Sequence, residues 1–503
     1  MTEMKKINIT QIVLVSILVV FTSGCKKFLD EDLRGQRSDQ QFFQTADDAE
    51  LALTGVYNVL SFSNADNRIW VFGDVASDDA AKGGIPGDQA DIGLIDNFNI
   101  LTDNGNLETV WEIYYEGVAR ANKLLDNIDG IDMDPERKNQ VKGEARFLRA
   151  YYYYWLVNIF GDIPVHTTTP TPEELQRPAT PASEVWSEVI IPDLTEAASL
   201  LPNSFSGGEP GRATKMAAYA FLAKAYLFTE QWEPAEDAAL EVVNSGLHNL
   251  ALVYKDNFTA ATKDNPEVIF AVRHLGGQDP MLANRLNQWF APRANNGYGF
   301  NVPTQDFVDE FEEATEGVYD PRLDYTVGRE GQPWLDEGVM FDPEWSPTGY
   351  LQKKYLQPLA EVPVELKAEG ELHYIFLRYS DVLLMLAEAL NEQGQTAEAE
   401  IYLNTVRQRA RESYLYDPDL PGYGTVPDGL LPNVTGSSQM SLRDAIRHER
   451  RVELGFEFHR YFDIIRYGEN YANEAFEDKE NFNYSTHKNF PIPQSELDTN
   501  SEL

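Results

Sequence analysis

The chain has 503 residues, a formal net charge of −40 and one cysteine. A field of that sign repels phosphate backbones and anionic lipid, which excludes nucleic-acid binding and makes a neutral ligand easier to attract than a polyanion, unless a local basic pocket intervenes. One cysteine excludes an internal disulfide, so stability must come from an apolar core, for which the chain has ample length.

The N-terminus carries Lys5 and Lys6, an apolar run over 12–21, and then Thr22, Ser23, Gly24 and Cys25. A basic start, a short apolar centre and small residues before a break describe a secretory signal, and the run is too short for a comfortable membrane span. Cys25 at that place resembles the lipid-attachment site of a bacterial lipoprotein. Residues 1–24 are therefore expected to be a lipoprotein signal peptide. Residues 25–40 are polar and are expected to tether the body, 41–503, to a membrane by acyl chains on Cys25.

Helical signals begin near Gln41. A helix is expected around 107–129, and Asp134-Pro135 starts another, with an N-cap followed by Pro at the first position. Val141, Ala145, Leu148, Tyr152, Trp155 and Ile159 continue it as one apolar stripe, which Gly161 and Pro164 stop. Residues 185–201 form a helix kinked or divided at Pro192. Segments 213–246 and 376–410 each read as helix, polar turn, helix. Each has small residues twelve apart, Ala223 with Ala235 and Ala387 with Ala399, which lets antiparallel helices touch as in tetratricopeptide repeats. Residues 107–160 could make a third pair. Trp111, Trp155, Trp186 and Trp232 lie on helical stripes and are read as core.

Between these units the texture changes. Residues 268–274 alternate like a strand. Regions 61–106 and 275–370 are rich in Gly, Asn, Asp or Pro with little helical periodicity, and 414–438 is similar. Loops this long are uncommon in a compact domain unless they are functional. With aromatics at 12%, including 25 Tyr and 8 Trp, a helical scaffold carrying aromatic loops reads as a binding architecture.

Several stretches, in order, resemble the SusD/RagB family of Bacteroidota outer-membrane glycan-binding lipoproteins. They are GEARFLRAYYYYWLVNIFGDIPV (143–165), RPATPASEVWSEVIIPDLTEAASLLP (177–202), GRATKMAAYAFLAKAYLF (211–228), YDPRL (319–323), LRYSDVLLMLAEALNEQG (377–394), LRDAIRHERRVELGFEFHRYFDIIRYG (442–468) and NFPIPQSELDTNSEL (489–503). The resemblance implies a mainly α, SusD-like fold: tetratricopeptide-like helix pairs against a loop-rich half with little β. It implies a non-catalytic protein that binds oligosaccharide or polysaccharide and hands it to a SusC-like TonB-dependent transporter. Asp30, Glu31 and Asp32 resemble the export signal of surface lipoproteins, which places the protein outside the cell, anchored to the outer membrane. Capture of peptides by the same kind of complex and a glycoside hydrolase are the alternatives, and a structural scaffold for proteins is a third reading.

A sugar binder wants flat rings for C–H faces and polar side chains for hydroxyls. The first loop offers Arg68, Trp70, Lys82, Asp88 and the pair Asp78 and Asp79, which matches an acidic pair that the family often carries. The second offers Trp289, Phe290, Arg293, Asn296 and Tyr298. Family members tend to place a sugar-stacking aromatic where Tyr298 stands, after an Asn-Gly turn, so it is the leading candidate. Trp334 and Trp345 are weaker ones. Trp70 lies in a short apolar run and reads more as core than as ligand contact, and Asp78 and Asp79 could cap or brace their loop.

The C-terminal charged helix has a capping box read at Ser441 and Asp444. Glu449 and Glu453, with Arg450 and Arg451 beside them, read as buried ion pairs that hold elements in register rather than as catalysts. The seven His are scattered and no Asp/Asn/Gly run fits a calcium loop, so neither metal nor cofactor is expected. No nucleophile elbow, phosphate loop or zinc motif occurs.

Overall fold

The computed structural model describes residues 42–61, 67–205, 209–278 and 282–503. Cys25, the signal segment and the tether lie outside the described residues. Helix α1 (Ala46–Asn58) opens on a capping box in which Thr45 and Asp48 satisfy each other's backbone N–H. Helices α2 (Gly105–Asn127) and α3 (Pro135–Phe160) follow, with Asp134 accepting from the Arg137 N–H and Gly161 ending α3 at φ 77°. The sequence stripe marks one face of α3. The structure buries its C-terminal half on every side, with Tyr151, Tyr152, Tyr153, Tyr154 and Trp155 all interior. Two of these tyrosines keep their hydroxyls satisfied on carbonyls: Tyr152 donates to Val56 at 2.6 Å and Tyr153 to His166 at 2.8 Å.

Helix α4 (Ile191–Leu200) continues a π-helical turn, Trp186–Ile190, so the expected division comes just ahead of Pro192. Helices α5 (Lys215–Phe228) and α6 (Trp232–Ser245) form the second pair, and α7 (Tyr379–Glu392) with α8 (Thr396–Tyr416) the third. Ala223, Ala235, Ala387 and Ala399 are all buried where the paired helices meet. The array is continuous: α2 packs on α3, α3 on α4, α4 on α5, α5 on α6 and α6 on α7. Trp111, Trp155 and Trp186 are core, but Trp232 is half-buried at the start of α6.

The strands come in four two-stranded sheets among the described residues. Strand β1 (Ala80–Gly83) pairs antiparallel with β3 (Phe300–Pro303). Strand β2 (Val268–Val272) pairs with β8 (Tyr374–Arg378), and β4 (Glu313–Thr315) with β5 (Val318–Tyr319). Strand β6 (Val327–Gly328) pairs with β7 (Leu351–Gln352). The β2–β8 ladder is the stem of the loop-rich half: the chain leaves the helical array through β2 and returns through β8 into α7.

Helix α9 (Gln439–Leu454) and the short α10 (Arg460–Arg466) tie the halves together by charge. The capping box of α9 is built by Ser438 and Ser441, not by Ser441 and Asp444, because the helix begins three residues earlier than the sequence reading placed it. Arg322 reaches Glu449 at 2.5 Å and Glu453 at 2.8 Å, while Arg378 spans Glu267 and Glu457 at 2.8 Å each. Arg450 joins Asp381 at 2.8 Å and Asp463 at 3.2 Å. All these groups are buried. Desolvation offsets most of the Coulomb gain, so the pairs set register more than they add stability.

Candidate ligand-binding site

The β1–β3 ladder brings together the two loop segments singled out in the sequence. Ala80 faces Pro303, Ala81 faces Val302 and Gly83 faces Phe300. The Gly84 N–H extends the ladder to the Gly299 carbonyl at 2.7 Å. Residues 67–90 and 287–301 thereby become two sides of one surface.

Tyr298 is held on a tightly specified turn. Asn296 takes the left-handed conformation at φ 59°. The N–H groups of Gly297, Tyr298 and Gly299 donate to Pro292 at 3.1 Å, Gln288 at 2.9 Å and Ala291 at 2.9 Å. A Cβ at Gly297 would stand 2.0 Å from the Ala291 carbonyl oxygen, so only glycine fits there. The Asn296 amide donates to the Val364 carbonyl at 3.0 Å and so ties the turn to the Val364–Leu366 segment.

Beneath Tyr298 lies a ring cluster. Tyr298 meets Trp289 edge-on at 5.3 Å, and Trp289 lies 5.6 Å from Phe300 and 5.9 Å from Trp70. Phe290 closes the far side of Trp70 at 5.4 Å. Tyr298 is half-buried, Trp289 is 5% exposed, and Trp70 and Phe290 are 0% exposed. Phe290 is a ligand candidate in the sequence, and Trp70 a candidate read more as core than as contact; both are fully buried. They are enclosed by neighbouring rings and form the base that holds Tyr298 and Trp289. Phe300 belongs to this base too and was not singled out in the sequence. Its place in β3, opposite Gly83, could be found only once the ladder was known.

Polar groups surround the rings. The Arg68 guanidinium lies 4.4 Å over Trp289, the Lys82 ammonium 5.7 Å over Phe300, and the Arg293 guanidinium 6.0 Å over Tyr298. Arg293 pairs with Asp88, and Lys82 Nζ donates to the Asp88 carbonyl at 2.7 Å. Arg293 and Asn296 are exposed. Trp334, Phe341 and Trp345 form a second ring cluster in the same half, with Trp334 buried and Trp345 half-buried.

Asp78 and Asp79 are drawn inward. Arg460 holds Asp78 through two hydrogen bonds, 2.8 and 2.6 Å, and Arg451 holds Asp79 at 2.7 Å. Burial works against ionisation of Asp78, but the Arg460 and Arg451 guanidiniums outweigh it and hold its carboxyl below the usual range. Burial pushes Asp79 up to about 6 despite Arg451, with Asp78 beside it adding to the rise. The pair braces the first loop against α9 and α10. Asp78, Arg451 and Arg460 also line a polar cleft of about 750 Å³ with Arg447, His448 and Tyr471. The sequence reading treated that charged helix only as structure and assigned it no concavity.

No group of three His, Cys, Asp or Glu among the described residues is placed to hold a metal ion. No described helix is long and apolar enough to cross a membrane.

Residues 266–503 match the family model described as the SusD family, and residues 27–227 match a model described as starch-binding, associating with the outer membrane. A curated relative, SusD-like protein P2 of Formosa agariphila, is 30% identical, covering 99% of both chains. The chain belongs to the SusD family. SusD-like protein P25 of the same organism is 26% identical over 98% of this chain and 97% of its own. Among solved structures, a SusD-like carbohydrate binding protein from Bacteroides fragilis superposes with a TM-score of 0.78 at 25% identity, covering 92% of this chain and 99% of that one. A laminarin binding SusD-like protein superposes with a TM-score of 0.72 at 28% identity, covering 90% and 97%. The mainly helical SusD-like fold expected from the resemblance is the fold observed.

Proposed function

We propose that this SusD-like chain is a cell-surface lipoprotein that binds oligosaccharide or polysaccharide without chemical turnover and passes it to a SusC-like TonB-dependent transporter. Cys25 is the proposed lipid-attachment residue and the outer membrane the proposed anchor. The observation that carries the reading is the convergence of 67–90 and 287–301 on one surface, with Tyr298 standing on a braced ring base and polar side chains around it. Such a surface suits a sugar, which presents a C–H face to a ring and hydroxyls to its rim. The proposed contact residues are Tyr298, the exposed edge of Trp289, Arg68, Lys82, Arg293 and Asn296. Support also comes from relatives described as carbohydrate binding and laminarin binding. The whole-chain charge favours a neutral glycan.

The test is affinity electrophoresis of the wild-type protein against a polysaccharide panel, with reducing ends assayed in parallel. Retention without release of reducing ends is the expected outcome. Turnover that survives stringent purification would overturn the non-catalytic reading. Co-purification of a large barrel protein from solubilised outer membrane tests the transporter partnership.

A further inference from the structure

The turn between α5 and α6 differs from its counterpart between α7 and α8. At equal offsets from the matched small residues Ala223 and Ala387, Glu230 stands where the later turn has Gly394, and Trp232 where it has Thr396. Gly394 takes the left-handed conformation at φ 80°, as suits a residue without a Cβ, whereas Glu230 takes it at φ 55°. A side chain held there is strained, and strain of this kind gathers at ligand sites. Trp232, expected in the core, is half-buried. Among the described residues no other ring packs on it, and its indole N–H has no acceptor.

Trp232 lines a cleft of about 380 Å³ between this turn, the end of α7, the start of α9 and the end of α10, and the cleft shares no residue with the Tyr298 platform. Its four carboxylates and three guanidiniums nearly cancel. Glu392 holds Arg443 through two hydrogen bonds of 2.6 Å, and Glu388 holds Arg466 at 2.5 and 2.8 Å. Arg466 also lies 5.5 Å over Phe228 and 4.4 Å over Tyr467, so Trp232 is the ring left for stacking. Glu230 and Asp444 are exposed, and their carboxylates make no hydrogen bond or ion pair among the described residues. The Arg447 guanidinium rests 4.1 Å over Tyr467, likewise without a hydrogen bond or ion pair to a described residue. An indole rimmed by such acceptors and donors suits a ligand with an apolar face and many hydroxyls. A strongly charged ligand of either sign would meet like charge beside it, and a neutral one does not.

We infer that this cleft is a second glycan site, which takes a short stretch of neutral sugar chain with one ring stacked on Trp232 and hydroxyls shared among Glu230, Asp444 and Arg447. This rests on the proposed glycan-binding function and adds to the Tyr298 platform a separate contact on the helical half. Two sites on one chain hold a polysaccharide more tightly than either alone, because the second contact is made intramolecularly.

The test is affinity electrophoresis of the full mature protein against laminarin, amylopectin, galactomannan and xyloglucan, with Trp232→Ala, Arg447→Gln, Tyr298→Ala and the Tyr298→Ala/Trp232→Ala double variant run beside it. For a polysaccharide that the wild type retains, Trp232→Ala should weaken retention about tenfold, the loss of one ring contact, and Arg447→Gln about threefold. The double variant should be retained less than Tyr298→Ala. Thermal melts establish folding, and Arg447→Gln decides the matter if Trp232→Ala fails to fold. Hydrogen exchange gives the location: the same polysaccharide added to Tyr298→Ala should slow backbone exchange across 228–232. Retention of both cleft variants equal to that of the wild type, or no slowing across 228–232, would overturn the second site while leaving glycan binding at the platform intact. Loss of a co-purifying barrel protein from Trp232→Ala, with retention unchanged, would assign the cleft to a protein partner and equally overturn it. No retention of any probe or of the wider panel would overturn both the second site and the glycan-binding function.

Discussion

Tyr298 and Trp70 are aromatic residues on the two converging loops, yet burial gives them different work. Tyr298 is half-exposed, so Tyr298→Ala should weaken glycan retention by about tenfold, as the loss of one ring contact does. Its melting temperature should stay near that of the wild type. Trp70 is enclosed by Trp289, Phe290 and Phe300, so Trp70→Ala should instead cost about 3–5 kcal/mol of stability, measurable by denaturant unfolding. Asp74 supplies a pH dependence. Burial pushes its carboxyl up to about 8, opposed by hydrogen bonds from Asn301 and the Phe458 N–H. A free Asp ionises near pH 4, so the folded state holds this proton more tightly than the unfolded one. Its contribution is complete below about pH 4 and is lost as pH rises to about 8. Asp74→Asn should therefore flatten the fall in melting temperature across that window. The Asn301 Oδ1, buried without a partner, can accept from the new amide once the Asn301 side chain turns.

The elements that matter to the site are β1, β3 and the turn between Leu286–Phe290 and β3. Gly297→Ala would drive a Cβ into the Ala291 carbonyl and displace Tyr298 without touching its ring. The expected effect is a loss of about 1–3 kcal/mol in stability together with weakened retention, read by thermal melts and affinity electrophoresis on the same sample. Much at this scale was legible in the sequence. The helix pairs announced themselves through Ala223, Ala235, Ala387 and Ala399, because close helix contact needs small side chains at fixed offsets. The cap at Asp134 and the stop at Gly161 were equally local. The β1–β3 ladder was not legible, because its partners stand more than two hundred residues apart and neither strand has a strong alternating pattern. That ladder turned two candidate lists into one surface. It also sorted them, enclosing Trp70 and Phe290 and leaving Tyr298, Arg293 and Asn296 outward. The inward turn of Asp78 and Asp79 had the same cause, since their partners Arg451 and Arg460 lie far along the chain.

At the scale of the whole molecule, a helical array supports a loop-rich half through the β2–β8 stem and the buried ion pairs of α9 and α10. The array supplies rigidity, and the excursion from β2 to β8 supplies one side of the surface. Cys25 gives the proposal its cellular place: Cys25→Ser should abolish metabolic labelling by palmitate and release the protein from the membrane fraction. The central claim is that the Tyr298 platform binds glycan without cleaving it. Calorimetric titration of wild type and Tyr298→Ala with a polysaccharide retained by the wild type tests this most directly. The account expects saturable binding by the wild type, about tenfold weaker binding by a variant of equal stability, and unchanged polysaccharide length afterwards. Equal affinity in the two proteins would place the glycan elsewhere and contradict it.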